Sequence, residues 1–191
     1  MKATEILMQE HRAIERALNV LEAAALKLEG GGRVAAGLIG GTMQFIRLFA
    51  DRCHHGKEEG FLFPALERSG LPREMGPLAV MQTEHDEGRA LVRSMGDAFQ
   101  EMESGNENAV PEFCRSAREF LALLRGHIMK EDHILFVMAD MRLPEEEKEK
   151  LTSDFMAAEA SGEACRLKSD LLRTLERLER EIINQTAAIR P

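Results

Sequence analysis

Apolar residues recur at alternating steps of three and four along nearly the whole chain, a period that leaves room for little besides α-helix. The first run is Leu7, His11, Ile14, Leu18, Leu21, Ala25 and Leu28, in a helix from about Ala3 to Glu29 that "GGGR" at Gly30 stops. A second helix, about Val34 to Glu67, turns Phe45, Leu48, Phe49, Phe63 and Leu66 to one side. After the loop "SGLPREMGP" a third, about Leu78 to Glu103, carries Leu78, Met81, His85, Gly88, Val92, Met95, Phe99 and Met102. Beyond "SGNEN", Pro111 opens a fourth at a favoured first-turn position. Its stripe is Phe113, Ala117, Phe120, Leu124, His127, Glu131, Ile134, Met138 and Met141. Strand alternation is nearly absent. Four long helices with short connections predict an all-α, up-down-up-down four-helix bundle over residues 1–143. Residues 144–191 add C-terminal helices, about Glu145 to Ala160 and the strongly periodic "LKSDLLRTLERLEREI". These pack on the bundle or on a partner subunit, the latter making a homodimer.

Three of the stripes are interrupted by imidazoles. His11, His85 and His127 stand where Leu or Met belongs, and Glu131 intrudes one turn after His127. In the second helix "HHGKEEGFLF" crowds two histidines and two glutamates against a core segment. Counting about 1.5 Å per residue from the helix ends, all four intrusions reach a similar depth of an antiparallel bundle. Buried carboxylates repel one another and cost free energy unless paired, and cations held between them are the physical remedy. One interior histidine is ordinary; four at one level are not independent accidents.

The second helix offers two registers. Overlaying its "LF" on that of "HIMKEDHILF" pairs His54 and Glu58 with His127 and Glu131. Helix phase at about 100° per residue, counted from Phe45, turns His55 and Glu59 inward and His54 outward. The phase argument selects His55 and Glu59, with His54 and Glu58 as the alternative. Glu15, Arg52 and Arg89 sit nearby as further ligands or orienting groups. The preferred set is therefore His11, His55, Glu59, His85, His127 and Glu131.

Such a set has too many ligands for a structural zinc site and too much nitrogen for magnesium or calcium. Mixed imidazole and carboxylate ligation suits two iron ions, with manganese or zinc as substitutes. The net charge of −8 argues against nucleic acid and anionic membranes as partners. No apolar run approaches the roughly 20 residues of a membrane span. The charged, amphipathic N-terminus is unlike a signal peptide. Three widely spaced cysteines, Cys53, Cys114 and Cys165, read as free thiols of a reducing, cytoplasmic compartment. With no Tyr, a tyrosyl radical is excluded.

"EHRAIERAL", "HHGKEEGFLFPAL", "EHDEGRALV" and "HIMKEDHILF" occur in the order and spacing of the hemerythrin-like (HHE cation-binding) family, and residues from about Thr4 to Met141 resemble it. The resemblance implies a di-iron centre bridged by two glutamates, His11 and His55 toward one iron and His85 and His127 toward the other. It also implies a diatomic ligand, O2 or NO, bound, sensed or detoxified, or iron itself handled. Oxygen carriers of the family use five histidines and an Asp one residue beyond the position of Glu131. Four inward histidines and Glu131 instead argue against reversible oxygen transport. A binding or sensing module is the first reading. A redox enzyme acting on peroxide or nitric oxide, or donating iron to damaged iron–sulfur clusters, is the alternative, and a metal-free structural bundle the third.

Overall fold

The computed structural model describes residues 1–161 and 167–187. The first helix, α1, spans Ala3–Glu29. Gly31, at φ 74°, then takes the left-handed turn that a side chain would disfavour. Helix α2 runs without a break over residues 36–68, α-helical at its ends and at Gly56 and Lys57, while Ile46–His55 and Glu58–Leu62 are wound as π-helix. Helix α3 is Pro77–Glu103. Helix α4 covers residues 110–142 and contains a π-helical turn at Glu131–Leu135. Two more follow, α5 at Glu145–Ser161 and α6 at Lys168–Ala187. Among the described residues there is no strand, and the fold is an all-α bundle.

Helices α1 to α4 form the bundle, α4 lying against both α1 and α3. Its interior is divided into two apolar clusters. One holds Leu7 of α1, Leu62 and Phe63 of α2, Leu78 and Met81 of α3, and Leu135 and Phe136 of α4. The other begins at Ala13 on α1, ends at Ala50 on α2, begins at Val92 on α3 and ends at Ile128 on α4. On every helix the gap between the clusters falls at the same level, and the polar intrusions of the sequence occupy it. Each cluster buries several large side chains, each worth about 1.5–3 kcal/mol, and together they clamp the polar layer from both sides.

The C-terminal helices cover the bundle. Leu151 and Phe155 of α5 join the first cluster, and Leu171, Leu175, Leu178 and Ile182 of α6 join the second. The α6 stripe is thus buried against α1 and α2. Leu178 lies over Gly41, where a Cβ would come within 3.1 Å of it, so the bare backbone there admits the helix.

Two expectations are corrected. Cys53 is disulfide-bonded, while Cys114 is a free, buried thiol, and Cys165 lies outside the described residues. Wide spacing in sequence sets no distance in a folded chain. The regular stripe of α4 also fails beyond Glu131. Ile134 and Met141 are 52% and 81% exposed, whereas Leu135, Phe136 and Ala139 are buried. The π turn inserts one residue and moves the inward face forward by one.

Candidate metal centre

Every helix of the bundle delivers a polar side chain to the gap: His11 from α1, His54, His55 and Glu58 from α2, His85 from α3, His127 and Glu131 from α4. All seven are buried, and His11, Glu58 and Glu131 have no exposed surface. They fall into two groups whose ligand atoms lie within 4.8 Å of one another. His55, Glu58, His85 and His127 make one; His11, His54, Glu58 and Glu131 make the other.

Glu58 belongs to both, with Oε1 3.5 Å from His54 Nε2 and Oε2 3.5 Å from His85 Nε2. Glu131 straddles them as well: its Oε2 lies 3.2 Å from His11 Nε2 and 3.3 Å from His127 Nε2. Yet all four oxygens of Glu58 and Glu131 lack a hydrogen-bond partner, as do His11 Nε2 and His54 Nε2. Apart from His85 Nε2 and His127 Nε2, which lie 3.1 Å from each other, these nitrogens and oxygens point at shared space and not along hydrogen bonds. A buried carboxylate without partners costs several kcal/mol, so two at one level are a standing deficit that cations would remove. The mixed nitrogen and oxygen donor set fits iron, manganese or zinc better than magnesium or calcium.

The outer nitrogens are fixed by a ring of carboxylates. His11 Nδ1 donates to Asp132 at 2.6 Å, His54 Nδ1 to Glu10 at 3.0 Å, His85 Nδ1 to Glu59 at 2.6 Å and His127 Nδ1 to Glu84 at 2.9 Å. His55 Nδ1 is the exception: Asp51 lies 3.6 Å away and the nitrogen has no hydrogen-bond partner. Each carboxylate in turn meets a cation: Arg12 at Asp132, Lys57 and Lys168 at Glu10, Lys130 at Glu84, and Arg89 at both Asp51 and Glu59. An outer carboxylate of this kind sets the ring orientation and strengthens the inner nitrogen as a ligand. Phe136 stacks on His11 at 5.4 Å and Phe63 on His85 at 5.7 Å, covering those two rings with apolar surface.

The titration behaviour follows from the same contacts. Burial would lower the pKa of His11, but Asp132 and Glu131 raise it to about 9. Burial likewise opposes His85, which Glu58 and Glu59 raise to about 9. His55 is pushed well below the usual imidazole range by burial and by the neighbouring His85 ring. Glu131 is held well below the carboxylate range because His127 and His11 outweigh the burial that favours its neutral form.

The structure brings together His11, His55, His85, His127 and Glu131 of the sequence-derived set, and it differs in α2. Both His54 and His55 face the gap, and Glu58 occupies the place expected of Glu59, which lies outside between His85 and Arg89. The phase argument assumed α-helical winding from Phe45 to Phe63. In the π-helical stretches each hydrogen bond closes one residue later, the rotation per residue falls, and His54 and Glu58 swing inward. Five histidines therefore converge where four were expected. Glu15 lies outside, paired with Arg12 at 3.1 Å. Arg89 binds Asp51, Glu59 and Asp86, and Arg52 is exposed at the edge of a cavity beside His55. Asp132 turns from the gap to hold His11 and meet Arg12, while Glu131 faces in. The orienting carboxylates Glu10, Asp51, Glu84 and Asp132 went unread, although Glu10, Glu84 and Asp132 each adjoin an inward residue in sequence.

The model of the hemerythrin HHE cation binding domain matches residues 2–139. An uncharacterised protein of Mycobacterium tuberculosis, Rv1995, is 25% identical over 134 residues, covering 70% of this chain and 52% of its own. The iron-sulfur cluster repair protein YtfE of Escherichia coli is 31% identical over 93 residues, covering 45% of this chain and 40% of its own. The chain thus spans about half, or less, of the length of these relatives.

Proposed function

This chain belongs to the hemerythrin HHE cation-binding family, and from that premise we propose that it is a non-haem di-iron protein that binds or senses O2 or NO, or handles iron. His55, His85 and His127 would hold one ion and His11 and His54 the other, with Glu58 and Glu131 shared. The observation that carries this reading is the pair of straddling carboxylates with every oxygen buried and unpartnered. Iron held there would supply a redox change and a coordination position for a diatomic molecule. The protein's part is to present five imidazoles, four of them held in fixed orientation through Asp132, Glu10, Glu59 and Glu84. Phe63 and Phe136 cover the His85 and His11 rings with apolar surface. Family membership supports a cation-binding role, the donor set supports iron, and five histidines remove the count that argued against an oxygen-binding member.

The deciding experiment is metal analysis of protein purified without oxygen, with an anomalous-scattering map at the iron edge. Two iron peaks flanking Glu58 are expected. No transition metal, with melting indifferent to chelator, would end this reading and leave a structural bundle. A second reading, donation of iron to damaged iron–sulfur clusters, draws on the named role of YtfE. It predicts rapid transfer of iron to an apo-cluster acceptor, whereas a binding or sensing protein retains its iron and responds to the diatomic ligand.

A further inference from the structure

A cavity of about 240 Å³ opens beside the metal-binding layer, with His55 on its lining. Its walls are Ile46, Ala50, Gly88, Val92, Phe120 and Leu124. Gly88 adds no side chain to this wall, and a Cβ there would already touch Phe120 at 3.7 Å. Four arginines share the lining, Arg47, Arg52, Arg89 and Arg93. Three of them, Arg47, Arg52 and Arg93, are exposed, whereas Ala50, Gly88, Val92, Phe120 and Leu124 are buried, so the guanidiniums form the mouth and the apolar groups the interior.

The charges at the mouth do not cancel. Asp51 and Glu84 also line the cavity, but Asp51 is bound to Arg89 at 2.8 Å and Glu84 is taken by Lys130 and His127. Among the described residues, Arg47, Arg52 and Arg93 have no carboxylate partner. Arg47 lies across Gly96, where a Cβ would come within 2.6 Å of its Nη2, so the bare backbone gives the guanidinium its seat. On a chain of net charge −8, three unpaired guanidiniums around one opening concentrate anions there.

We propose that this cavity is a binding site for a small carboxylate with an apolar body, its head at Arg47, Arg52 and Arg93 and its body inside against His55. A guanidinium fork matches a carboxylate with two parallel hydrogen bonds. The apolar interior repays burial of a hydrocarbon and penalises an inorganic oxyanion, which would have to shed water on all sides. At roughly 30 Å³ per water the cavity has room for about eight waters, enough for a molecule of the size of benzoate. Such an occupant covers the face of His55 that lines the cavity. The binding claim stands on the cavity alone; only its consequence for the ions rests on the metal reading.

The test is a titration of the full chain with benzoate, followed by methyl NMR, on metal-loaded and on chelator-treated protein. Saturable shifts at Ile46, Val92 and Leu124 are expected, with benzyl alcohol, of the same shape but uncharged, at least roughly tenfold weaker. R47A and R93A, both at exposed positions, should each weaken benzoate by roughly five- to tenfold with metal content and melting unchanged. Non-saturating shifts, equal binding of benzyl alcohol, equal binding of inorganic phosphate, or variants that bind like the parent would each overturn the site. Failure of the metal reading shows separately, as absent metal and chelator-indifferent melting in protein that still binds benzoate.

Discussion

Replacing Glu58 by Gln asks the centre a question with different answers in its two states. In the chelated protein Glu58 is a fully buried carboxylate whose two oxygens have no hydrogen-bond partner. The amide keeps the shape and removes the charge, and burial of a neutral amide costs less than burial of a carboxylate. The gain is offset in part because Glu58 also helps raise the His85 pKa to about 9, so chelated E58Q should melt close to the chelated parent. In the loaded protein the same change removes one of the two carboxylates that straddle the groups. An ion present at a hundred times its Kd stabilises the folded state by about 2.7 kcal/mol, hence about 5 kcal/mol for two. For a chain of this size that is roughly 10–20 °C in Tm. Differential scanning calorimetry with ferrous iron under nitrogen, and again with chelator, should show that interval in the parent and little of it in E58Q. E59Q is the control, since Glu59 touches His85 only at Nδ1, 2.6 Å away, and loss of such an outer partner typically weakens binding ten- to a hundredfold. Most of the interval should survive there. The reasoning is wrong if E58Q keeps the full metal-dependent rise, or if it lowers the chelated Tm by as much as the loaded one.

Asp132→Asn should cut iron affinity by about ten- to a hundredfold through His11 while leaving the iron count at saturation unchanged, as competition against a chromophoric chelator would show. Lys57 is 1% exposed and meets both Glu10 and Glu159, so Lys57→Met leaves Glu10 with Lys168 and His54. It should cost about 3 kcal/mol in urea unfolding, and a loss under 1 kcal/mol would show that the network is solvated. The Cys114 thiol, buried beneath Ala25, has its pKa pushed up to about 11, so alkylation by iodoacetamide at pH 8 should proceed only as fast as the protein unfolds. Because the folded thiol titrates above its ordinary value, its contribution to stability is complete below about pH 9 and lost as pH rises toward 11.

The regular parts of the molecule were legible because periodicity is a direct record of one buried face. The expected bounds of α1, Ala3 to Glu29, coincide with those found, and α3 differs by one residue at its start. The misplaced inward residues are confined to the π-helical turns. A sequence carries no mark for a hydrogen bond that closes at i+5, and an apolar stripe counted at 100° per residue drifts through it. That is why Glu59 was preferred to Glu58, His54 was turned outward, and Ile134 and Met141 were assigned to the interior. The overlay of the two "LF" segments did indicate the His54 and Glu58 register, since both segments contain the same irregular winding and share its shift. An alignment of like with like absorbs a distortion that an ideal geometry cannot. The outer carboxylates were missed for a different reason: Glu10, Glu84 and Asp132 each adjoin an inward residue, and adjacency in a helix ordinarily means a different face.

That adjacency is what permits the charge arrangement. A ligand at position i and a carboxylate at i±1 diverge by about 100°, so the carboxylate next to one ligand reaches the ring of a ligand on a neighbouring helix. Glu10, beside His11 on α1, holds His54 of α2; Glu84, beside His85 on α3, holds His127 of α4; Asp132, beside Glu131 on α4, holds His11 of α1. In each of these three pairs a helix orients another helix's imidazole and not its own. Rotation of one helix about its axis would break an inner contact and an outer one together, so the register of the bundle and the geometry of the centre are fixed by the same hydrogen bonds. The alternation from buried carboxylates to imidazoles, outer carboxylates and then Arg12, Lys57, Arg89 and Lys130 compensates charge at each radius except the innermost. There, with no ion bound, the two straddling glutamates draw their counter-charge only from imidazoles such as His11 and His85, whose pKa values they help raise to about 9, and cations between them would take over that role.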